Sequence, residues 1–535
     1  SEQYIAWDVK NVINMSSTFS NSVFNQYISN WNVEKVTTMK SMFKKSSFKQ
    51  DIKTKKIENI YTTSYDAWKL SDCTSVESMF EETSFNHDIS NWDISSIKTF
   101  SNMFKNDHFE QNMRKWGDSI NNSLVGNLNI FNGASKMHKR FPNLLDENDN
   151  YIDPKVDSKN DWAFCFHYKF RSGEDTTFHE ALKDYFDRED KKQEVIDTYG
   201  EIHTWVTSEI TDMSELFKSR SLKGIGISTK DIGISEWDTS KVTNMSEMFF
   251  KTTDMENVNV ETKVATNTLR VPYIAWDTKG VVDMSKMFAD STTFRSDITN
   301  WNVSRVTDMS NMFENAEQFN ANINTKHVTL EGTNNNYLAW NTNAVTNMTS
   351  MFENASSFNG QVTDWNVSRV TYMSNMFKNA EQFNANINTK HVRLEGTNNN
   401  YLAWNTNAVT NMTSMFENAS SFNGQVTDWN VSRVTYMSNM FKNAKQFNSD
   451  LNTKNITELS SSVLDETKTE TETRTKHILL DTEKYEAWNV EEVTTMKNMF
   501  NTASSFYYPL DLWKPKKVQN MEGMFANAYL MYHDL

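Results

Sequence analysis

The chain has 535 residues, a formal net charge of −15 and a pI near 5.3, a balance that excludes a general nucleic-acid binder. Only 14 Gly and 5 Pro exclude collagen-like and low-complexity chains, and no run of about 18 apolar residues offers a membrane span. The two cysteines, Cys73 and Cys165, lie too far apart in sequence to suggest a disulfide scaffold or a metal cluster.

The first expected element is a repeat array over residues 1–145. The N-terminal SEQYIAWDVK is expected to enter it at once, with no signal peptide visible, which leaves open a removed Met or a cleaved leader before Ser1. Tryptophans mark the units: Trp7, Trp31, Trp68, Trp92 and Trp116, evenly spaced except for a longer step between Trp31 and Trp68. After Trp116 the motif decays, as in a capping repeat.

Residues 146–200 are expected to be an irregular insert followed by a helical cap. The run DENDNYIDPKVD places Asp146, Asn148, Asn150 and Asp153 at alternate positions, a calcium-loop candidate. It departs from the calcium pattern with Tyr151 where Gly belongs and Asp157 where Glu belongs. Cys165 and His167 share an apolar run with no nucleophile motif around them, and a buried, inert thiol is the reading. The stretch 177–200 reads as one helix or two short ones, with Ala181, Leu182, Tyr185 and Phe186 on one face. It is expected to open the second array.

That second array is expected over residues 201–535. Its tryptophans are Trp205, Trp237, Trp276, Trp301, Trp340, Trp365, Trp404, Trp429, Trp488 and Trp513; from Trp237 on, long and short steps alternate, with the longest between Trp429 and Trp488. At its centre Glu317–Ala380 is repeated as Glu381–Ala444 with one change, Thr329 to Arg393. A near-exact copy of so long a block is the signature of a repeat architecture. Within one unit Trp301 and Val303 alternate with Asn302 and Ser304, a short strand. Val306, Met309, Met312, Phe313 and Ala316 then follow at i, i+3, i+6, i+7 and i+10, the spacing of a helix that Thr307 could cap. The expected core is Trp301, Val306, Met309, Met312, Phe313 and Phe319, with Trp365, Met376 and Phe377 in the next short unit. Met beside Phe favours packing over soft-metal binding.

The longer units carry an insert of the kind NTKHVTLEGTNNNY, expected to form an added strand or hairpin. These inserts either bind a partner or stiffen the array. Between Trp429 and Trp488 the insert is lengthened by SSSVLDETKTETETRTK, expected to be a mobile loop at about 460–476. His327 and His391 are copies within inserts, not a ligand pair at metal spacing. The sequons at Asn302, Asn347 and Asn354 recur because the repeat contains them. Their Asn residues are expected to bond backbone at turns or to stack in ladders.

The stretch WNVSRVTDMSNMFENAEQFN (Trp301–Asn320) resembles the repeat of the BspA-like leucine-rich-repeat surface proteins of bacteria, unicellular eukaryotes and giant viruses. The match covers most of 1–115 and 201–535. The opening YGEIHTWVTSEITDMSELF looks like the start of such arrays in unicellular eukaryotes and giant viruses. The resemblance implies an α/β repeat solenoid, leucine-rich-repeat-like. Its strand–turn–helix units, of the length from Trp276 to Trp301, would alternate with longer ones carrying an extra strand or hairpin. It implies no catalytic activity, no cofactor and no site residues, and often a cell-surface, adhesive role.

The leading expectation is therefore a non-enzymatic structural or adhesive protein on a cell or virion surface. Its partners would be a protein or a surface glycan, or further copies in an assembly or capsid lattice, and not nucleic acid. A giant-virus capsid-associated protein and an intracellular protein-binding scaffold are the alternatives. An enzyme with its site in 117–200 would need convergent polar groups in a pocket there.

Overall fold

The computed structural model describes residues 7–58, 64–113, 115–116, 129–141, 144–145, 150–151, 168–222, 234–256, 258–266, 272–333, 335–394, 400–456, 461–464 and 484–533. They fall into two compact units: Ser1–Glu209 with Thr266–Pro272, and Ile210–Ala265 with Tyr273–Leu535.

Both units are built from coils that pair side by side through backbone groups. In the second unit a line of parallel bridges runs Asp212, Asn244, Asp283, Asp308, Asn347, Tyr372, Asn411, Tyr436, Thr495 and Asn520, one residue per coil. In the first, a shorter line joins Asn14, Thr38, Ser75 and Thr99. Neither the strand expected at Trp301–Ser304 nor the helix expected over 306–316 forms; the parallel pairing in this stretch is the single bridge at Asp308. Asn311 and Asn315 have φ near +57°, a left-handed backbone that an α-helix excludes and that Asn tolerates better than most residues. The N–H groups of Met309, Asn311, Phe313 and Asn315 donate to the carbonyls of Asn347, Thr349, Met351 and Glu353 in the next coil. Those of Met312, Glu314 and Ala316 close turns onto Met309, Asn311 and Phe313. Overlapping turns of this sort return an apolar side chain inward every third or fourth position. They reproduce the helical spacing without the helix, and Thr307 caps nothing; its N–H donates to Val282 O.

The inward side chains stack from coil to coil. Trp301, Val306, Met309, Met312, Phe313, Phe319, Trp365, Met376 and Phe377 are all completely buried. In the second unit one phenylalanine row runs from Phe217 through Phe313, Phe352 and Phe377 to Phe525, with 5.1 Å between the Phe217 and Phe249 centroids and 5.7 Å between Phe377 and Phe416. A second row joins Phe294, Phe319, Phe358, Phe383, Phe422, Phe447 and Phe506. Buried indole N–H groups are satisfied by the preceding coil: Trp340 Nε1 donates to Ile298 O and Trp365 Nε1 to Ile323 O, both at 2.8 Å. An unpaired donor there would carry its full desolvation cost.

The inserts of the longer units form antiparallel hairpins. Lys326–Thr329 (β1) pairs with Asn336–Ala339 (β2), and Lys390–Leu394 (β3) with Asn400–Ala403 (β4). Smaller equivalents join Lys55–Ile57 to Tyr65–Ala67 and Lys454–Ile456 to Tyr485–Ala487. The β1–β2 and β3–β4 hairpins each return to the coil through a left-handed tryptophan, Trp340 (φ 49°) and Trp404 (φ 49°). A tyrosine pins each to the coil before: Tyr337 Oη donates to Asn300 O at 2.5 Å and Tyr401 Oη to Asp364 O at 2.6 Å. The stretch expected to be a mobile loop at 460–476 begins as a strand instead. Ser461–Leu464 runs parallel to β3 on the edge not taken by β4, where backbone groups on an open strand edge invite a partner. Residues 465–476 lie outside the described residues.

In the first unit, helices at Ser135–Arg140, Asp175–Asp187 and Glu189–Tyr199 follow the coils. The helix expected to open the second array is a pair, and it is tied to the first array: Lys115 Nζ contacts Asp197 at 2.6 Å and Asn112 Nδ2 donates to Thr198 O at 3.0 Å. Trp205, expected in the second array, packs among Phe170, Phe178 and Tyr199. Arg140, nearly buried, holds Glu174 through both guanidinium amines, and the pairing keeps the Glu174 carboxyl below the usual range despite its burial.

Candidate interaction surface

Large side chains fill the core, and the polar side chains line the outside of the coils. One outer edge satisfies itself. Asn315, Asn354, Asn379, Asn418 and Asn443 form a ladder in which each Nδ2 donates to the side-chain oxygen of the residue before, at 2.5–2.7 Å, beginning from Asp290. Beside it Lys378 pairs with Glu353 and Lys442 with Glu417, both at 2.8 Å. The sequon residues are engaged locally: Asn302 Oδ1 accepts from Ser304, Asn347 Oδ1 from the Thr349 N–H, and Asn354 lies in the ladder.

The face along the parallel bridges is different. Thr307, Thr346, Thr371, Thr410 and Thr435 form a column whose hydroxyls donate to a carbonyl of the coil before. Two positions further back in the chain, arginine and alanine alternate coil by coil: Arg305, Ala344, Arg369, Ala408, Arg433. The three arginines are exposed, and none takes part in an ion pair among the described residues. On the bridge line itself Tyr372 and Tyr436 are 52% and 51% exposed, while Asn347 and Asn411 stand beside and between them. Two bridge steps separate the tyrosines, about 10 Å at the usual strand spacing. The arginines follow the same two-coil period. Acidic groups close the row: Asp308 in the Arg305 coil, and Glu492 in the coil after Arg433, which is bound to Lys517 at 2.6 Å. Sequence reasoning passed over these residues because they occupy the variable positions of the repeat. The available signal was a bulky polar residue at a variable site, recurring once in each copied block.

The first unit holds a cleft of about 320 Å³, lined by Asp88, Gln111, Lys115, Arg140 and Asp197 among others. Its cations are engaged, Lys115 by Asp197 and Arg140 by Glu174, and neighbouring Arg171 is bound to Glu110. Of the calcium-loop candidate, Asp146, Asn148 and Asp153 lie outside the described residues, as do Cys165 and His167; Asn150 alone is described. Among the described residues no group of three or more His, Cys, Asp or Glu is arranged to hold a metal ion. Cys73 is buried, and burial pushes its thiol up to about 11, away from the reactive thiolate. His327 and His391 each lie on a hairpin strand, on successive hairpins.

A family model described as "Mycoplasma protein of unknown function, DUF285" matches the chain in successive stretches: 2–65, 59–144, 181–271, 234–337, 325–393, 392–477 and 476–535. No curated protein and no solved structure matches it.

Proposed function

Given that the chain belongs to the DUF285 family of repeat proteins, we propose that it is a non-enzymatic repeat protein of the BspA-like kind, displayed on a cell or virion surface. In this reading the stacked coils of each unit form a solenoid with a closed aromatic core, and contacts with a partner are made by its repeated outer face. One observation carries it: the bridge face repeats the same exposed Arg and Tyr side chains at a fixed two-coil step, through Arg369, Tyr372, Arg433 and Tyr436. Copying the block copies a contact site, and linked weak sites gain avidity far beyond one site. The hairpins, pinned to the coil before by Tyr337 and Tyr401, serve mainly to hold the face rigid.

The test is attachment of labelled protein to intact cells or virions from the native source, for chains with one, two and three copies of the Glu317–Ala380 block. The expected outcome is attachment that rises more than in proportion to copy number. Attachment independent of copy number, or none, overturns the reading.

A further inference from the structure

We propose that the bridge face of the second unit is a row of subsites for an extended acidic polysaccharide carrying one carboxylate per disaccharide. The inference rests on the surface-binding reading above and names the partner.

Charge supplies the first argument. The protein is strongly acidic overall, yet the bridge face from Asn343 to Tyr436 carries only Arg, Tyr, Thr, Asn, Ser and Ala in its exposed and half-buried columns. Arg369 and Arg433 stand there with no ion-pair partner among the described residues. A guanidinium presents a planar fork that matches a carboxylate through two parallel hydrogen bonds. Leaving two such forks unpaired, while nearby Lys378, Lys390, Lys442 and Lys454 are each paired to an acid of a neighbouring coil, marks them for an external anion.

Spacing supplies the second. Tyr372 and Tyr436 are two parallel bridges apart, and each lies three positions after an arginine in its own coil. Each Arg–Tyr pair therefore recurs at about 10 Å, the length of one disaccharide step in an extended β-linked chain. Ala344 and Ala408 occupy the arginine register in the intervening coils, leaving room for a sugar ring between successive guanidinium groups. The tyrosine supplies an apolar ring face for a pyranose and a hydroxyl at its rim. The threonine column between arginine and tyrosine has its hydroxyl protons committed to carbonyls of the coil before, which leaves the oxygens as acceptors.

Other polyanions fit less well. Along the axis of a duplex each strand presents a phosphate about every 3.4 Å, so roughly two would fall unmatched between Arg369 and Arg433, against a chain whose net charge repels them. A protein partner draws on a buried apolar centre, and this face has none among the described residues.

The experiment is titration calorimetry of the full chain with a polymer of alternating glucuronate and N-acetylglucosamine. Neutral dextran, oligo-dT and poly-glutamate serve as comparison probes. Two double variants are measured beside it, R369Q/R433Q and Y372A/Y436A; these side chains are exposed, and unchanged thermal melting checks the fold. The expected result is binding of the uronate polymer that weakens with added salt and falls at least tenfold in each variant, with the other probes at least tenfold weaker. Absence of binding, equal binding by the variants, or equal binding of oligo-dT or poly-glutamate overturns the proposal. Attachment to intact cells or virions, measured in parallel, separates the two readings. Attachment that persists when the uronate polymer fails to bind removes the polysaccharide and leaves surface binding; loss of both removes both.

Discussion

Phe377 is completely buried between Phe352 and Phe416 in one row and against Phe383 at 3.9 Å. Phe377→Ala should therefore cost about 3–5 kcal/mol by denaturant unfolding, and a loss below about 1 kcal/mol would be that of a surface residue. Asp107 shows the opposite case, a carboxyl at a position held by Ala316 in the repeat. It is 3% exposed, accepts from Thr83 Oγ1 and the His108 N–H, and burial raises it to about 8. Because the folded value lies above the unfolded one, its contribution to stability is present at acid pH and is lost as pH rises towards 8. Asp107→Ala should raise the melting temperature more at pH 8 than at pH 5, read by calorimetry at both. Asn379 separates two effects at one site. Its φ is +58° and its side chain joins the ladder between Asn354 and Asn418. Asn379→Gly loses only the ladder, whereas Asn379→Ala also takes on the left-handed strain, about 1 kcal/mol more. Equal unfolding midpoints for the two would remove the strain argument.

At the scale of the element, Trp301, Met309 and Phe313 were readable as core because burial leaves a compositional mark at each repeat. The kind of backbone was not. An apolar interval of three and four positions belongs equally to an α-helix and to overlapping turns. What separates them is Asn311 and Asn315 at positive φ, and the N–H groups of Met309 and Phe313 aimed at the neighbouring coil. Both are consequences of having a copy alongside, which a window of one repeat does not contain. The Asn ladder was foreseeable, since stacked copies bring identical amides into reach. The Arg305–Arg369–Arg433 row was not, because exposed positions carry no periodic apolar signal. The hairpins add a testable detail. Tyr337→Phe removes the donor to Asn300 O and should cost about 1 kcal/mol, read as a lower unfolding midpoint, with the phenyl ring otherwise unchanged in shape.

For the molecule as a whole, identical blocks make length a free parameter. Deleting residues 381–444 joins Ala380 to Lys445, the residue that follows Ala444 in the intact chain, so every coil keeps a neighbour of the expected kind. The shortened protein should fold, with a smaller denaturant slope in proportion to the surface removed; failure to unfold cooperatively would show that the second copy is structurally unique. The same sameness carries a cost during folding. Met348 N–H pairs with Tyr372 O as Met412 N–H pairs with Tyr436 O, and only Thr329 against Arg393 tells the two blocks apart. A collapsing chain thus has two equally good seats for one segment, and occupying the wrong one strands a whole block outside the stack. Escape requires local unfolding, so refolding of the intact chain should show a slow phase that the single-block form lacks.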